Sequence, residues 1–232
     1  MKLTMKLPIL LLALAATAHA QSPLDTVLKQ MDAASKTFHS AQANVSYDNY
    51  TRVVRAHDIE TGTIFVERAG ESGVTFGALF FDLGPDGKPS KSPAKIISFD
   101  GNLLQVDSTG TNTVDIFKAG NNQAKYEGFL TLGFGGSGQA LAKAWTITDQ
   151  GPETIDGVKT EKLDLVAKDP AVKSTFTHVT IWIDPVRDVS LKQIFVAPNN
   201  DSRTATYTNI RLNAKIDKHP YTIPKSATKQ VH

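Results

Sequence analysis

The sequence predicts a mainly β protein of the α+β kind, built on an antiparallel sheet. Three observations predict it. Short runs that alternate apolar and polar side chains recur from residue 43 to residue 212, the period that places alternate residues on one strand face. Tight turns rich in Gly, Pro, Asn and Asp join them, which suits antiparallel neighbours and not parallel crossovers. Helical spacing is confined to the N-terminal segment and to one insertion between the strands.

The elements follow in order. Met1 to Ala20 has a basic start, an apolar stretch from Leu7 to Thr17 and an Ala18-His19-Ala20 cleavage site, so residues 1–20 are expected to leave as an export signal. The remaining 21–232 contain no linker and read as a single domain. Leu24, Val27, Leu28, Met31, Ala34 and Phe38 fall at helical spacing, and Ser22-Pro23 supplies a cap and a first-turn proline. One amphipathic helix over 24–38 is expected. Strands are expected at 43–47 continuing to 51–54, at 62–68, 74–83, 95–99, 102–106 and 114–117. Asp100-Gly101 marks a two-residue hairpin. Two short helices are expected at 126–132 and 139–145, joined by Gly133-Phe134-Gly135-Gly136-Ser137-Gly138. Strands return at 145–149, 161–167, 176–184, 190–196 and 202–212, and the basic C-terminus is expected to fray.

Composition excludes several classes of function. Lys and Arg number 25 against 23 Asp and Glu. Loss of Lys2 and Lys6 with the leader brings the balance to zero, which argues against phosphate-driven nucleic-acid binding and against a polybasic membrane anchor. The chain has no cysteine, which removes disulfides, thiolate nucleophiles, Cys-ligated metals and a lipid-bearing cysteine. The apolar run of the leader has no later counterpart of spanning length, so an exported periplasmic product is expected. Neutral charge permits a monomer.

Little in the sequence carries chemistry. The five histidines beyond the leader (His39, His57, His178, His219 and His232) form no HxH or HxxxH pair, so no metal site and no cofactor are expected. The glycine run lacks the Lys-Ser/Thr of a phosphate loop and the spacing of a nucleophile elbow. It reads as a joint between two helices. Carboxylates such as Asp164, Asp184 and Asp188 are scattered, and Asp184-Pro185 reads as a turn. No catalytic residue is assigned, and the chain is not expected to be an enzyme. One charged residue stands out. Arg68 shares a strand face with Ile64 and Val66, and an arginine on an apolar face needs acceptors. Either the strand ends there and Arg68 sits in water, or it donates to backbone carbonyls of a helix lying across the sheet.

Several segments together resemble the LolA-type periplasmic carriers of outer-membrane lipoproteins, within the LolA/LolB-like superfamily. Phe38-His39-Ser40-Ala41 resembles the family's passage from first helix to first strand. Gly62-Thr63-Ile64-Phe65-Val66-Glu67-Arg68 is similar to its G-x-[LI]-[WF]-V-x-R strand. Lys95 to Leu104 is similar to its strand–DG–strand hairpin. Phe129 to Gly138 resembles the lid segment of wider relatives, and Ile181-Trp182-Ile183-Asp184 and Thr206 to Ile210 resemble the family's late strands. Ala69-Gly70 stands where a proline often follows the arginine, and Tyr221 to Ser226 lacks the closing Phe and Gly.

The resemblance implies an unclosed antiparallel β-barrel around an apolar cavity, with the helices as a lid. It implies a carrier that holds lipoprotein acyl chains and moves them from the inner to the outer membrane. A LolCDE-type ABC transporter would be the donor and a LolB-type receptor the acceptor. A binding protein or sensor for a phospholipid or glycolipid on the same fold is the alternative. Arg68 matches the lid-locking arginine. Leu130, Leu132, Gly133, Phe134, Gly135, Gly136 and Gly138 are expected in the lid and its hinge. Val45, Ile64, Val66, Phe76, Phe99 and Ile181 are expected to line the cavity.

Overall fold

The computed structural model describes residues 23–68, 73–120 and 123–232, apart from the side chains of residues 124–126. The expected leader, the Ser22 cap and Ala69-Gly70 lie outside the described residues.

Helix α1 (Pro23–Ser35) turns Val27, Met31 and Ser35 inward, four residues apart. It stops three residues short of expectation. The hydroxyls of Ser35 and Thr37 donate to the carbonyls of Asp32 and Ala34 at 3.1 and 3.2 Å, local bonds that compete with a further helical turn. Phe38 therefore leaves the helix and enters the core, 4% exposed.

Among the described residues, twelve strands make one sheet. They are β1 (Ser40–Thr51), β2 (Ala56–Arg68), β3 (Val74–Asp82), β4 (Lys95–Phe99), β5 (Leu103–Ser108), β6 (Thr113–Lys118), β7 (Trp145–Ile155), β8 (Val158–Ala167), β9 (His178–Asp184), β10 (Val189–Val196), β11 (Ser202–Leu212) and β12 (Thr228–Val231). The spatial order is β12-β6-β5-β4-β3-β2-β1-β11-β10-β9-β8-β7. Every neighbouring pair is antiparallel except β12 with β6. The outermost strands β12 and β7 do not pair with each other, so the sheet curls into a barrel that stays unclosed. Helices α2 (Gln123–Leu130) and α3 (Gly138–Ala144) form the insertion between β6 and β7, and α4 (Pro170–Thr175) lies between β8 and β9.

Four local expectations are corrected. Residues 52–55 are a turn and not strand, because Tyr50 pairs with His57 and Thr51 with Ala56; Val53 and Val54 are left 85% and 68% exposed. The β4–β5 turn takes three residues, since the Asp100 carboxylate accepts the amides of both Asn102 and Leu103 at 2.9 and 2.7 Å. Strand β7 runs on past Asp149 through a register shift to Ile155. The C-terminus does not fray. Ile216, Tyr221 and Ile223 cover Phe65, Leu79 and Ile96, Ala227 covers Val114 and Ile116, and β12 extends the sheet. Apolar side chains on that sheet face need a cover, and the C-terminal segment supplies it.

The remaining core falls into two clusters. One gathers Val27 and Met31 of α1, Leu141 of α3, and Leu163, Leu165, Val179, Ile181, Ile183 and Phe195 of β8–β10. The other gathers Phe38, residues of β1–β4 and β11, and Phe134 of the insertion.

Candidate functional site

The segment from Phe129 to Gly138 joins α2 to α3 and spans both clusters. Leu132 belongs to the cluster under α1 and α3, and Phe134 to the other. Its chain unwinds from α2 through helix-like bonds, Leu132 N–H to Phe129 O at 3.2 Å and Phe134 N–H to Thr131 O at 2.8 Å. Gly133 and Gly135 then take left-handed backbone, φ +76° and +72°, which favours glycine. Neither position has room for a side chain. A Cβ at Gly133 would lie 2.6 Å from Ser190 Cβ, and one at Gly135 would lie 2.3 Å from the Phe38 ring. Gly138 is required by close approach, because a Cβ there would meet the Leu28 carbonyl oxygen at 2.2 Å. A Cβ at Gly136 would meet nothing within 4 Å beyond its chain neighbours. Three of the four glycines expected in the hinge are thus fitted against neighbours.

Four hydrogen bonds clasp this segment. Ser190 N–H donates to Gly133 O at 2.6 Å, and Gly135 N–H donates to Asp188 O at 3.0 Å. Gln193 Nε2 donates to Leu132 O at 2.6 Å. Arg68 Nη2 donates to Gly135 O at 2.6 Å. The other guanidinium nitrogen, Nη1, donates to Ser35 O at 2.6 Å, satisfying a carbonyl left over at the C-terminal end of α1. The Arg68 residue is exposed overall, and its guanidinium lies 5.6 Å from the centroid of the Phe38 ring. Both expectations for Arg68 thus describe part of it: the strand ends there, and the side chain ties α1 to the insertion.

Two buried polar residues support the clasp. Gln193, 2% exposed, accepts from Tyr207 OH at 3.0 Å. Burial pushes the Tyr207 phenol well above the usual range, with Tyr47 adding to the rise, so it stays a neutral donor. Asp188 is 0% exposed, and its backbone is left-handed at φ +56°. Neither carboxylate oxygen has a hydrogen-bond partner among the described residues. Burial raises its pKa to about 7, with Arg68 opposing the rise and Asp32 adding to it.

Of the residues expected to line a cavity, Val45, Ile64, Val66, Phe76 and Phe99 share one cluster with Phe134 and Leu130. Ile181 and Leu132 pack in the other. The space under Phe134 is filled by rings: Tyr47 stacks on Phe80 with centroids 4.7 Å apart, and Phe134 meets Tyr207 edge-on at 4.9 Å. Sequence reasoning missed Phe38 as floor, Ser190 and Gln193 as clasp, and Asp188 beneath it. Gln193 did carry a signal, since period two puts it on the face of Phe195.

Among the described residues, no group of three or more His, Asp or Glu side chains could hold a metal ion. No helix among them is long and apolar enough to cross a membrane.

No protein-family model and no curated protein matches the sequence. Among solved structures, the chain is similar to an uncharacterized conserved protein from Thermus thermophilus, at 11% identity over 89% of this chain and 98% of that one, with a TM-score of 0.54. It is also similar to MucB, at 12% identity over 88% of this chain, with a TM-score of 0.50. The match spans 64% of MucB, less than two thirds of its length. A putative outer membrane lipoprotein-sorting protein domain from Vibrio parahaemolyticus matches at 9% identity over 84% of this chain and 94% of that domain, with a TM-score of 0.44. Likeness at such identities is one of fold alone, a mainly β, unclosed antiparallel sheet with helices against it.

Proposed function

We propose that this chain is a periplasmic carrier that takes lipoprotein acyl chains into its apolar interior and moves them from the inner to the outer membrane. The observation that supports the reading is Arg68 holding Ser35 O and Gly135 O at once. One guanidinium ties the first helix to a turn that covers an apolar sheet face. A static core needs no such tie, whereas a lid does. In this reading Arg68 is the lock, Leu130 to Gly138 are the lid, and the ring cluster under Phe134 is the space that cargo takes over.

The energetics favour exchange. Burial of a sixteen-carbon chain yields roughly 12 kcal/mol of gross transfer energy at about 0.8 kcal/mol per CH₂. Against it stand the clasp, at about 1 kcal/mol per hydrogen bond, and the displaced Phe134, at about 2–3 kcal/mol. Cargo therefore opens the lid. The self-closing lid in turn lowers apparent affinity and eases release. No catalytic group or cofactor is required. A LolCDE-type transporter as donor, a LolB-type receptor as acceptor and a monomeric carrier complete the proposal.

The test is native mass spectrometry with lipid extraction on protein isolated from its own periplasm. Co-purified acylated lipoprotein supports the proposal and names the cargo. A free phospholipid or glycolipid moves the function to another lipid. An empty protein that also refuses a fluorescent fatty acid refutes it.

A further inference from the structure

Asp188 joins the clasp through its backbone carbonyl, and its side chain is left without a partner among the described residues. It is 0% exposed, and neither carboxylate oxygen finds a donor among the described residues. Buried polar groups without a partner are rare and call for an explanation. The surroundings supply one. Gly135 lies between Asp188 and Arg68: its N–H donates to Asp188 O, and its carbonyl accepts from Arg68 Nη2. Phe134 forms a bridge with Val189, the next residue along. The lid strip 133–135 thus lies along 188–190 and holds Arg68 on its other polar edge.

We propose that Asp188 is the second seat of the Arg68 guanidinium. With the lid down, Arg68 is held by the carbonyls of Ser35 and Gly135, and the carboxylate beneath has no donor. Lifting the lid removes the Gly135 carbonyl from Arg68 and the Gly135 amide from Asp188 in the same movement. The guanidinium released from Gly135 then meets the unpartnered carboxylate, a charge-assisted pair of the kind Arg favours. Asp188 is on this account a positioning residue. It gives the lock somewhere to go, so that opening exchanges one set of bonds for another.

The charged neighbours are few. Arg68 from β2 and Asp32 from α1 act on Asp188. Asp32 itself accepts the Gln139 amide at 3.0 Å. In its own turn Asp184 and Arg187 are paired at 2.6 Å. The lid from Phe129 to Gly138 carries no titratable side chain. Raising the pH ionises Asp188 under the closed lid and favours opening. Lowering it neutralises Asp188 and favours closure.

The inference rests on the lid reading but not on any cargo, and its test contains no lipid. Amide hydrogen exchange is followed by NMR in the full chain at pH 5.5 and pH 8, corrected for intrinsic rates. The Gly135 and Ser190 amides report the lid, and the Leu165 and Ile181 amides serve as the control. The expected result is a loss of lid protection of about tenfold or more relative to the control as pH rises, and no such loss in Asp188→Asn. If Asp188→Asn does not fold, Asp188→Ser is used in its place. Lid protection that is flat with pH in the unaltered protein overturns the proposal, as does a pH response that survives the substitution. A protein that takes up no lipid can still pass this test, and a lipid carrier can still fail it.

Discussion

One sheet is closed in two different ways. Over β8 and β9, helices α1 and α3 cover Leu163, Leu165, Val179, Ile181 and Ile183, all 0% exposed. Over β1–β4 and β11 the cover includes a turn, Phe134 above a floor of aromatic rings, clasped by four hydrogen bonds. Close aliphatic packing is non-directional and opens only with the whole fold. A clasp of polar contacts can open as a local unit. On the proposed reading the difference teaches where this molecule can move: stability would reside under the helices, and access under the turn.

The comparison can be broken at several points. The largest effect is expected in the helical half, where Leu165→Ala lowers global stability by about 2–5 kcal/mol in urea unfolding. A loss below about 1 kcal/mol there would contradict the assignment of stability to that half. Asp188→Asn is expected next. An acid whose native pKa of about 7 lies above its reference value of 3.8 costs the fold stability as pH rises between those values. The substitution should therefore stabilise the protein on the order of 2–4 kcal/mol at pH 8 and by almost nothing at pH 4. Denaturant curves at the two pH values measure it.

Phe134→Ala sharpens the contrast further. A phenylalanine in a closed core costs about 3–5 kcal/mol when truncated. A lid that opens locally should lose only about 1–2 kcal/mol of global stability while binding more of an apolar dye. Arg68→Leu takes two hydrogen bonds from the closed form and one exposed ion pair from the open form. Closure should weaken by about 1 kcal/mol, seen as roughly fivefold tighter binding of a fluorescent fatty acid with unchanged melting temperature. The smallest effect is expected at Val53→Thr and Val54→Thr, within about 0.5 kcal/mol, since both side chains are exposed in a turn.

The halves also differ in how legible they were in the sequence. Strands with one apolar face, such as Gly62 to Arg68 and Lys95 to Phe99, were readable from period two. The first residues of β2, Ala56 to Thr61, were not, because they are held by pairing with Ser46 to Thr51 and not by an apolar face. The end of β7 was hidden by Gly151 and Pro152, which an edge strand tolerates and which lie at a register shift. Thr228 to Val231 is exposed throughout and has no pattern to read. At the site, Arg68 was legible as a charge on an apolar face. Its acceptors were not, since a backbone carbonyl has no letter of its own. Asp188 reads as one carboxylate among many, and only tertiary burial sets it apart.

On the proposed function, cargo enters where the turn lifts from β10. The chain has no cysteine, so a disulfide across the Phe134–Val189 bridge can be installed cleanly. Antiparallel partners lie about 4.5–5.5 Å apart between Cα atoms, within disulfide reach. Uptake of a fluorescent fatty acid by F134C/V189C should be abolished when oxidised and restored by reduction. Equal uptake in both states would contradict the account.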